Sequence, residues 1–311
     1  MPIYIFESTH GGSQEIAELG RHIDEIAKSR QESLFLCEEF PDSERFRMLF
    51  ASIHKMDESE MHKIIQAEGS EMVFPEEVFN EIRELAHIKL RHQNLTILPI
   101  DDYSQEGDAH FNAANAARRS LTNSYFNMLS GAKGAQEQMM VWTLKLLFND
   151  WHYNMLRNQK MYGAIKAIQI QYPMASIVVD CGLVHSRFLQ EALKTEGVKL
   201  LRDISGAGKE YNELVLQAQN AAAAYAERHG SKVIAAELAM PGFIAITRYA
   251  VATFLDHLIY GVFFEITDTQ RKELQKQMEM IINSEMGYDD NLSILNQTVS
   301  AYGGMLEVGD L

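Results

Sequence analysis

Five short apolar runs rich in strand-forming residues are spread along the chain, and stretches with helical spacing separate them. The runs cover residues 3–6, 33–37, 95–100, 175–181 and 198–201. Each run is too short for a helix, which indicates buried β-strands. A strand–helix–strand order, as at the start of this chain, forms a parallel pair of strands. The sequence therefore predicts an α/β fold, with a mostly parallel sheet core flanked by helices.

Helical patterns dominate the remainder of the chain. Residues 104–152 have the composition of a helical insertion, and the pattern is almost wholly helical beyond residue 207. The chain has 311 residues, and single hydrophobic cores stop growing at roughly 250–300 residues. We predict a core domain over residues 1–205 that contains the insertion, followed by a large helical C-terminal region over residues 206–311.

One apolar segment, residues 242–264, has the length of a membrane span. Arg248, Asp256 and His257 lie inside it, and charged side chains are costly in hydrocarbon. We therefore predict a buried helix and no membrane partner. Such a helix needs an apolar surface to pack on, and we expect that surface to be the core or a second copy of the chain. A homo-oligomer formed through the C-terminal helices is thus one expectation.

The charge balance and the cysteine content restrict the class of protein. The chain carries 43 acidic and 28 basic side chains, a formal net charge of −15, which disfavours binding to nucleic acid or to an anionic membrane. Cys37 and Cys181 provide neither a disulfide framework nor zinc-ligand spacing. Few cysteines and a strand pattern at the first residues, where a leader would have a basic and apolar segment, predict a cytoplasmic protein.

Polar residues follow the predicted strands at the places where the strands end. These residues are Glu7, His10, Glu38, Glu39, Asp101, Asp102 and His185. Ligands of parallel sheets bind outside the carboxyl ends of the strands, so these residues carry more weight than polar residues elsewhere. Histidines and carboxylates at one edge can hold a metal or can act as a general base with an orienting acid. Each residue taken alone is an ordinary loop residue.

Two further features lie near these strand ends. Arg157 shares a helix face with Met161 and can clamp a carboxylate or an oxyanion, although a solvated surface arginine is the simpler interpretation. Cys37 and Cys181 fall at strand ends, where a small apolar side chain is a more common role than a nucleophile.

Four segments together resemble a known group of proteins. They are residues 7–15 (ESTHGGSQE), 36–40 (LCEEF), 157–161 (RNQKM) and 178–185 (VVDCGLVH). In this order they are similar to the motifs of erythromycin-esterase-like proteins, which form a superfamily with the haem-uptake ChaN-like and the Tiki/TraB-like proteins. The resemblance extends over about residues 3–202 and does not include the C-terminal third.

The resemblance implies that Glu7, His10, Glu38, Arg157 and His185 line one pocket. In the esterase-like branch, the histidine of the first motif activates water with help from a glutamate and an ester is cleaved. In the Tiki-like branch, the implied ligands of a divalent transition metal are His10, Glu38 and His185, and the substrate is a peptide. In the ChaN-like branch, haem binds and no reaction is required.

From this resemblance we expect a hydrolase in which water attacks an ester or amide of a small molecule or a peptide. His10 would act as general base or metal ligand, with Glu7 or Glu38 orienting it. Arg157 would stabilise negative charge, and His185 would be a second ligand or a proton donor. Two alternatives stay open: a non-catalytic protein that binds haem or another apolar molecule, and a scaffold that reuses the fold.

Overall fold

The protein is described by a computed structural model. It covers residues 2–8, 13–29, 32–56, 59–61, 63, 75–101, 104–203, 209–230, 232–283 and 286–305. The chain folds into two compact units. The first unit comprises Met1–Gly107 and Asn154–Ala207, and the second comprises Asp108–Tyr153 and Gly208–Leu311.

The first unit contains a five-stranded, all-parallel sheet. Its strands are β1 (Ile3–Ser8), β2 (Leu34–Pro41), β3 (Leu95–Asp101), β4 (Ser176–Gly182) and β5 (Lys199–Arg202). They lie side by side in the order β3-β2-β4-β1-β5. The predicted α/β class and the parallel sheet are confirmed, and each of the five apolar runs forms one of these strands.

The helices that accompany this sheet in the described part of the chain have the following bounds. They are α1 (Ser13–Ser29), α2 (Glu44–Ser52), α3 (Pro75–Arg91), α4 (Gln105–Leu129), α5 (Ala135–Gln171) and α6 (Leu183–Ala192). Most of α4 belongs to the second unit, and α5 belongs to that unit as far as Tyr153. The segment of α5 from Asn154 onward is part of the first unit, together with α1, α2, α3 and α6.

Both faces of the sheet are buried, because successive strand residues point in opposite directions and helices cover each side. On one side, which we call the Phe6 face, Phe6, Leu36 and Val178 pack in a core with residues of α1, α2 and α3. On the other side, the Cys37 face, Cys37 and Cys181 pack in a core with residues of α5 and α6. The candidate site lies at the carboxyl ends of these strands.

The second unit is helical and has a core of its own. Besides its parts of α4 and α5, it contains α7 (Lys209–His229), α8 (Ala235–Leu238), α9 (Ile244–Ile259), α10 (Asp268–Asn283) and α11 (Tyr288–Tyr302). Most of the predicted insertion, residues 104–152, therefore groups with the C-terminal helices.

The apolar segment 242–264 contains α9, whose residues Ile246, Phe254 and Leu255 are fully buried in this second core. None of the helices in the described part of the chain combines the length and the apolar character that a membrane crossing needs.

Candidate functional site

The carboxyl edge of the sheet carries several buried acidic groups. Glu7 lies at the end of β1, Glu38 and Glu39 lie in β2, Asp101 ends β3, and Asp180 lies in β4. Carboxylates are rarely buried unless they are paired, so each needs a partner that accounts for it. Two predicted strand-end residues, His10 and Asp102, lie outside the described residues.

Arg157 of α5 holds two of these carboxylates. Its Nε donates to Asp101 Oδ1 and its Nη2 donates to Asp101 Oδ2, each at 2.7 Å, and Nη2 also pairs with Glu39 Oε1. The side chain is only 14% exposed, which excludes the interpretation as a solvated surface arginine. A guanidinium can bind a carboxylate with two parallel hydrogen bonds, and this geometry fixes its direction.

Glu39 connects Arg157 to His185. Glu39 Oε2 accepts a hydrogen bond of 2.7 Å from the backbone N–H of Gly182, and Glu39 Oε1 lies 3.5 Å from Nε2 of His185. His185 is buried, and its Nδ1 lies 2.7 Å from Oδ1 of Asn158. Because an amide oxygen only accepts hydrogen bonds, Nδ1 carries a proton. Nε2 faces the Glu39 carboxylate, which also only accepts, so a proton taken up by Nε2 is stabilised there.

We refer to Glu39, Asp101, Arg157, Asn158 and His185 as the Arg157 network. Its members come from β2, β3, α5 and the first turn of α6. The fold places them together because the parallel strands end at the same edge and because α5 passes that edge. Chemically, the network is an imidazole between a neutral amide and an anionic carboxylate, with the carboxylate fixed by an arginine.

Glu7 lies beside this network and is bonded to the same helix as His185. Ser186 Oγ donates a hydrogen bond of 2.7 Å to Glu7 Oε1, and Nε2 of Gln190 lies 3.4 Å from the same oxygen. Glu7 is the register neighbour of Cys181 in β4. The carboxylate therefore helps to hold α6, which carries His185 in its first turn.

The two cysteines are buried at 0% exposure. Burial, followed by the charges of Glu39, Asp180 and Glu7, raises the pKa of Cys181 well above its ordinary value. Burial also raises the pKa of Cys37, with a smaller contribution from Glu38. A thiol is nucleophilic as the thiolate, so both side chains act as small apolar groups of the core.

Glu38 does not join the Arg157 network. It alternates with Cys37 and Glu39, so its side chain lies on the Phe6 face, beside its register partner Asp180. Burial raises the pKa of Glu38 well above its ordinary value, and the charges of Asp180, Glu81 and Glu39 add to the rise. Within the described part of the chain, Glu38 Oε1 receives no hydrogen bond.

The predicted site is thus divided. Arg157 and His185 meet through Glu39, Glu7 lies beside them, Glu38 is on the other face, and His10 lies outside the described residues. The prediction that these residues act in one site stays a prediction.

From the sequence, Glu39 is one of the polar residues at the strand ends and Asn158 is a member of the 157–161 motif, but neither is expected to contact His185. Asn158 could have been considered because it directly follows Arg157, which is a candidate site residue. No sequence feature favours Glu39 over Glu38, because β2 is apolar on both faces and shows no alternation that would separate the two.

The implied metal site has two described members, Glu38 and His185, and they belong to opposite faces of the sheet. Among the residues that the structure describes, no group of three or more His, Cys, Asp or Glu side chains is arranged to hold a metal ion. A metal bound with the help of His10 stays a prediction, and the chemistry below uses none.

Comparison with known proteins adds no relative: no protein-family model, no curated protein and no solved structure matches the chain. The superfamily resemblance therefore depends on its four motifs.

Proposed function

We propose that the protein is a hydrolase of esters or amides in which His185 takes a proton from water at the carboxyl edge of the sheet. The observation that supports this most directly is the fixed position of His185 between Asn158 Oδ1 and Glu39 Oε1. A general base needs a nitrogen lone pair that is held in a defined direction, and these two partners fix the direction of the imidazole ring.

The neighbours of His185 have distinct roles in this proposal. The Nδ1–H donates to Asn158, which leaves the lone pair on Nε2. When Nε2 takes a proton, the imidazolium is stabilised by the Glu39 carboxylate 3.5 Å away. His185 then returns the proton to the leaving group, as the same group does in other acyl transfers.

Arg157 has a positioning role in this scheme. Its guanidinium is bonded to Asp101 through two hydrogen bonds and to Glu39 through Nη2. These bonds fix the carboxylate that faces His185, so the arginine acts on the reaction through Glu39. This differs from the role in charge stabilisation that the resemblance implies.

The test is hydrolysis of p-nitrophenyl esters and of amino-acid p-nitroanilides by the purified full chain. His185→Gln and Glu39→Gln are expected to lower kcat/KM by about 10²–10⁴-fold, the usual contribution of a general base. The matched control is His92→Gln. His92 Nε2 lies 2.6 Å from Asp24 Oδ1, so it is also a histidine–carboxylate pair of the first unit, placed before β3 begins.

Hydrolysis that His92→Gln leaves intact and that His185→Gln abolishes would support the proposal. If none of these substrates is hydrolysed above the buffer rate, or if the three variants are equally active, the proposal is wrong. An absorbance scan of the same preparation tests the non-catalytic alternative, because bound haem would give a visible band.

A further inference from the structure

The second unit contains a groove that the proposed hydrolase does not use. It has a volume of about 490 Å³, within the range of roughly 300–1,000 Å³ that is usual for small-molecule sites. Residues of three helices form it: α7, α9 and α10. These residues are Glu210, Tyr211, Asp256, Met278, Glu279, Ile282 and Asn283.

The surface of the groove is mainly apolar. Tyr211, Met278 and Ile282 are partly buried and pack against the core of the second unit. The thioether of Met278 is an adaptable contact surface for an apolar ligand, and the face of the Tyr211 ring attracts cations. The surface therefore suits an organic molecule of moderate size.

The charge of the groove is negative. Glu210, Asp256 and Glu279 contribute three carboxylates, and of the described residues that line the groove none is basic. Arg248, which is not among the lining residues, donates its guanidinium N–H groups to the backbone oxygens of Ile281 and Ile282 at 2.7–3.0 Å.

Asp256 is the least exposed of the three carboxylates. Burial raises the pKa of its carboxyl, and His257 opposes that rise. Burial likewise raises the pKa of the Tyr211 phenol, and the negative charge of Asp256 adds to the rise. The Asp256 carboxylate would gain from a positive charge placed beside it, since an opposite charge nearby favours the ionised form.

We propose that this groove binds an organic cation, an amine with an apolar body. The apolar surface would contact the body of the ligand and the three carboxylates would pair with its ammonium group. An organic cation fits better than a bare metal ion, because no described group of acidic side chains has the arrangement of a metal site. An anionic amphiphile is disfavoured by the charge of the rim.

The test is isothermal titration calorimetry of the full chain with three eight-carbon probes: octylamine, 1-octanol and octanoate. Octylamine is expected to bind at least about 10-fold more tightly than 1-octanol, a difference of about 1.4 kcal/mol, and octanoate is expected not to bind. Added NaCl should weaken the binding of octylamine and leave that of 1-octanol unchanged, because salt screens the charge interaction.

Variants distinguish binding in the groove from a general attraction of the cation to an acidic protein. Asp256→Asn and Glu279→Gln should each lower the affinity for octylamine by about 5-fold or more, whereas Glu227→Gln, an exposed acid of α7 outside the groove, should leave it unchanged. Glu279 is exposed, so its variant keeps the fold. If octylamine binds no better than 1-octanol, or if all three variants bind alike, the proposal is overturned.

Discussion

Glu38 and Glu39 are adjacent in the sequence, yet their environments are opposite. Glu39 is bonded to Arg157 and to the backbone of Gly182, whereas Glu38 is buried beside Asp180 and its pKa is raised well above the ordinary value. A carboxyl group with a raised pKa in the folded state destabilises the fold once the pH exceeds its unfolded value. The cost of burying Glu38 therefore grows with pH, from about 4.5 upward.

Glu38→Gln is expected to raise the free energy of unfolding by roughly 1–3 kcal/mol near pH 8, because a neutral amide replaces a group that must stay protonated or be buried as a charge. The gain should shrink as the pH is lowered toward 4.5, the ordinary value for this group. Urea denaturation at a series of pH values measures it. Glu191→Gln, whose parent side chain is 74% exposed, is the control, and a gain that does not depend on pH would contradict the argument.

Arg157 and Arg47 form ion pairs of the same geometry that differ in burial, so their variants show how burial affects the contribution of such a pair to stability. Both bind an aspartate through Nε and Nη2: Arg157 binds Asp101, and Arg47 binds Asp42. The side chain of Arg157 is 14% exposed and that of Arg47 is 61% exposed.

Arg157→Gln is expected to lower the free energy of unfolding by about 3–5 kcal/mol, since it leaves buried carboxylates without a cation. Arg47→Gln is expected to lower it by no more than about 1 kcal/mol, since water replaces an exposed partner. Chemical denaturation of the two variants side by side decides the matter. Equal losses would show that burial does not set the strength of these pairs.

At the scale of elements, two helical glycines should respond in opposite ways to substitution. A Cβ at Gly163, within α5, would have no heavy atom within 4 Å. A Cβ at Gly303, where a short 3₁₀ turn follows α11, would lie 2.7 Å from the backbone oxygen of Leu129. Backbone cannot move aside as the end of a side chain can, so only the second position is crowded.

Gly163→Ala is therefore expected to stabilise the protein by about 0.5–1 kcal/mol through helix propensity. Gly303→Ala is expected to destabilise it by about 1–3 kcal/mol through overpacking. Thermal or urea unfolding of both variants measures the signs. A stabilising Gly303→Ala would mean that the approach to Leu129 is not close in solution.

The strands show what a local sequence pattern can predict and what it cannot. Apolar runs with strand-forming residues predicted all five strands, because a strand buried on both faces is recognisable from composition and length. Because β2 is buried on both faces, its sequence does not show which side chains point to which face. Leu36 and Cys37 are both apolar and both buried, so no alternation indicated that Glu39 would face Arg157 and that Glu38 would face away.

At the scale of the whole molecule, chain order and spatial grouping differ. Tyr125 of α4 and Phe254 of α9 are far apart in the sequence, yet their rings lie 5.2 Å apart in the second core, and the Tyr125 hydroxyl donates to the backbone oxygen of Ala250. Helical periodicity shows that each helix has a buried face. It does not show which other helix covers that face, because the hydrophobic effect is not directional and does not select a partner.

The sequence by itself determined the fold class and the edge of the sheet at which polar residues gather. Strand composition, chain length and the topology of parallel sheets are local or general properties, and they are sufficient for both conclusions. The tertiary structure decided that Asn158 and Glu39 flank His185 and that Glu38 does not. It also decided which helices share a core. These outcomes depend on side-chain direction, strand register and packing between distant segments, and all three arise only when the chain is folded.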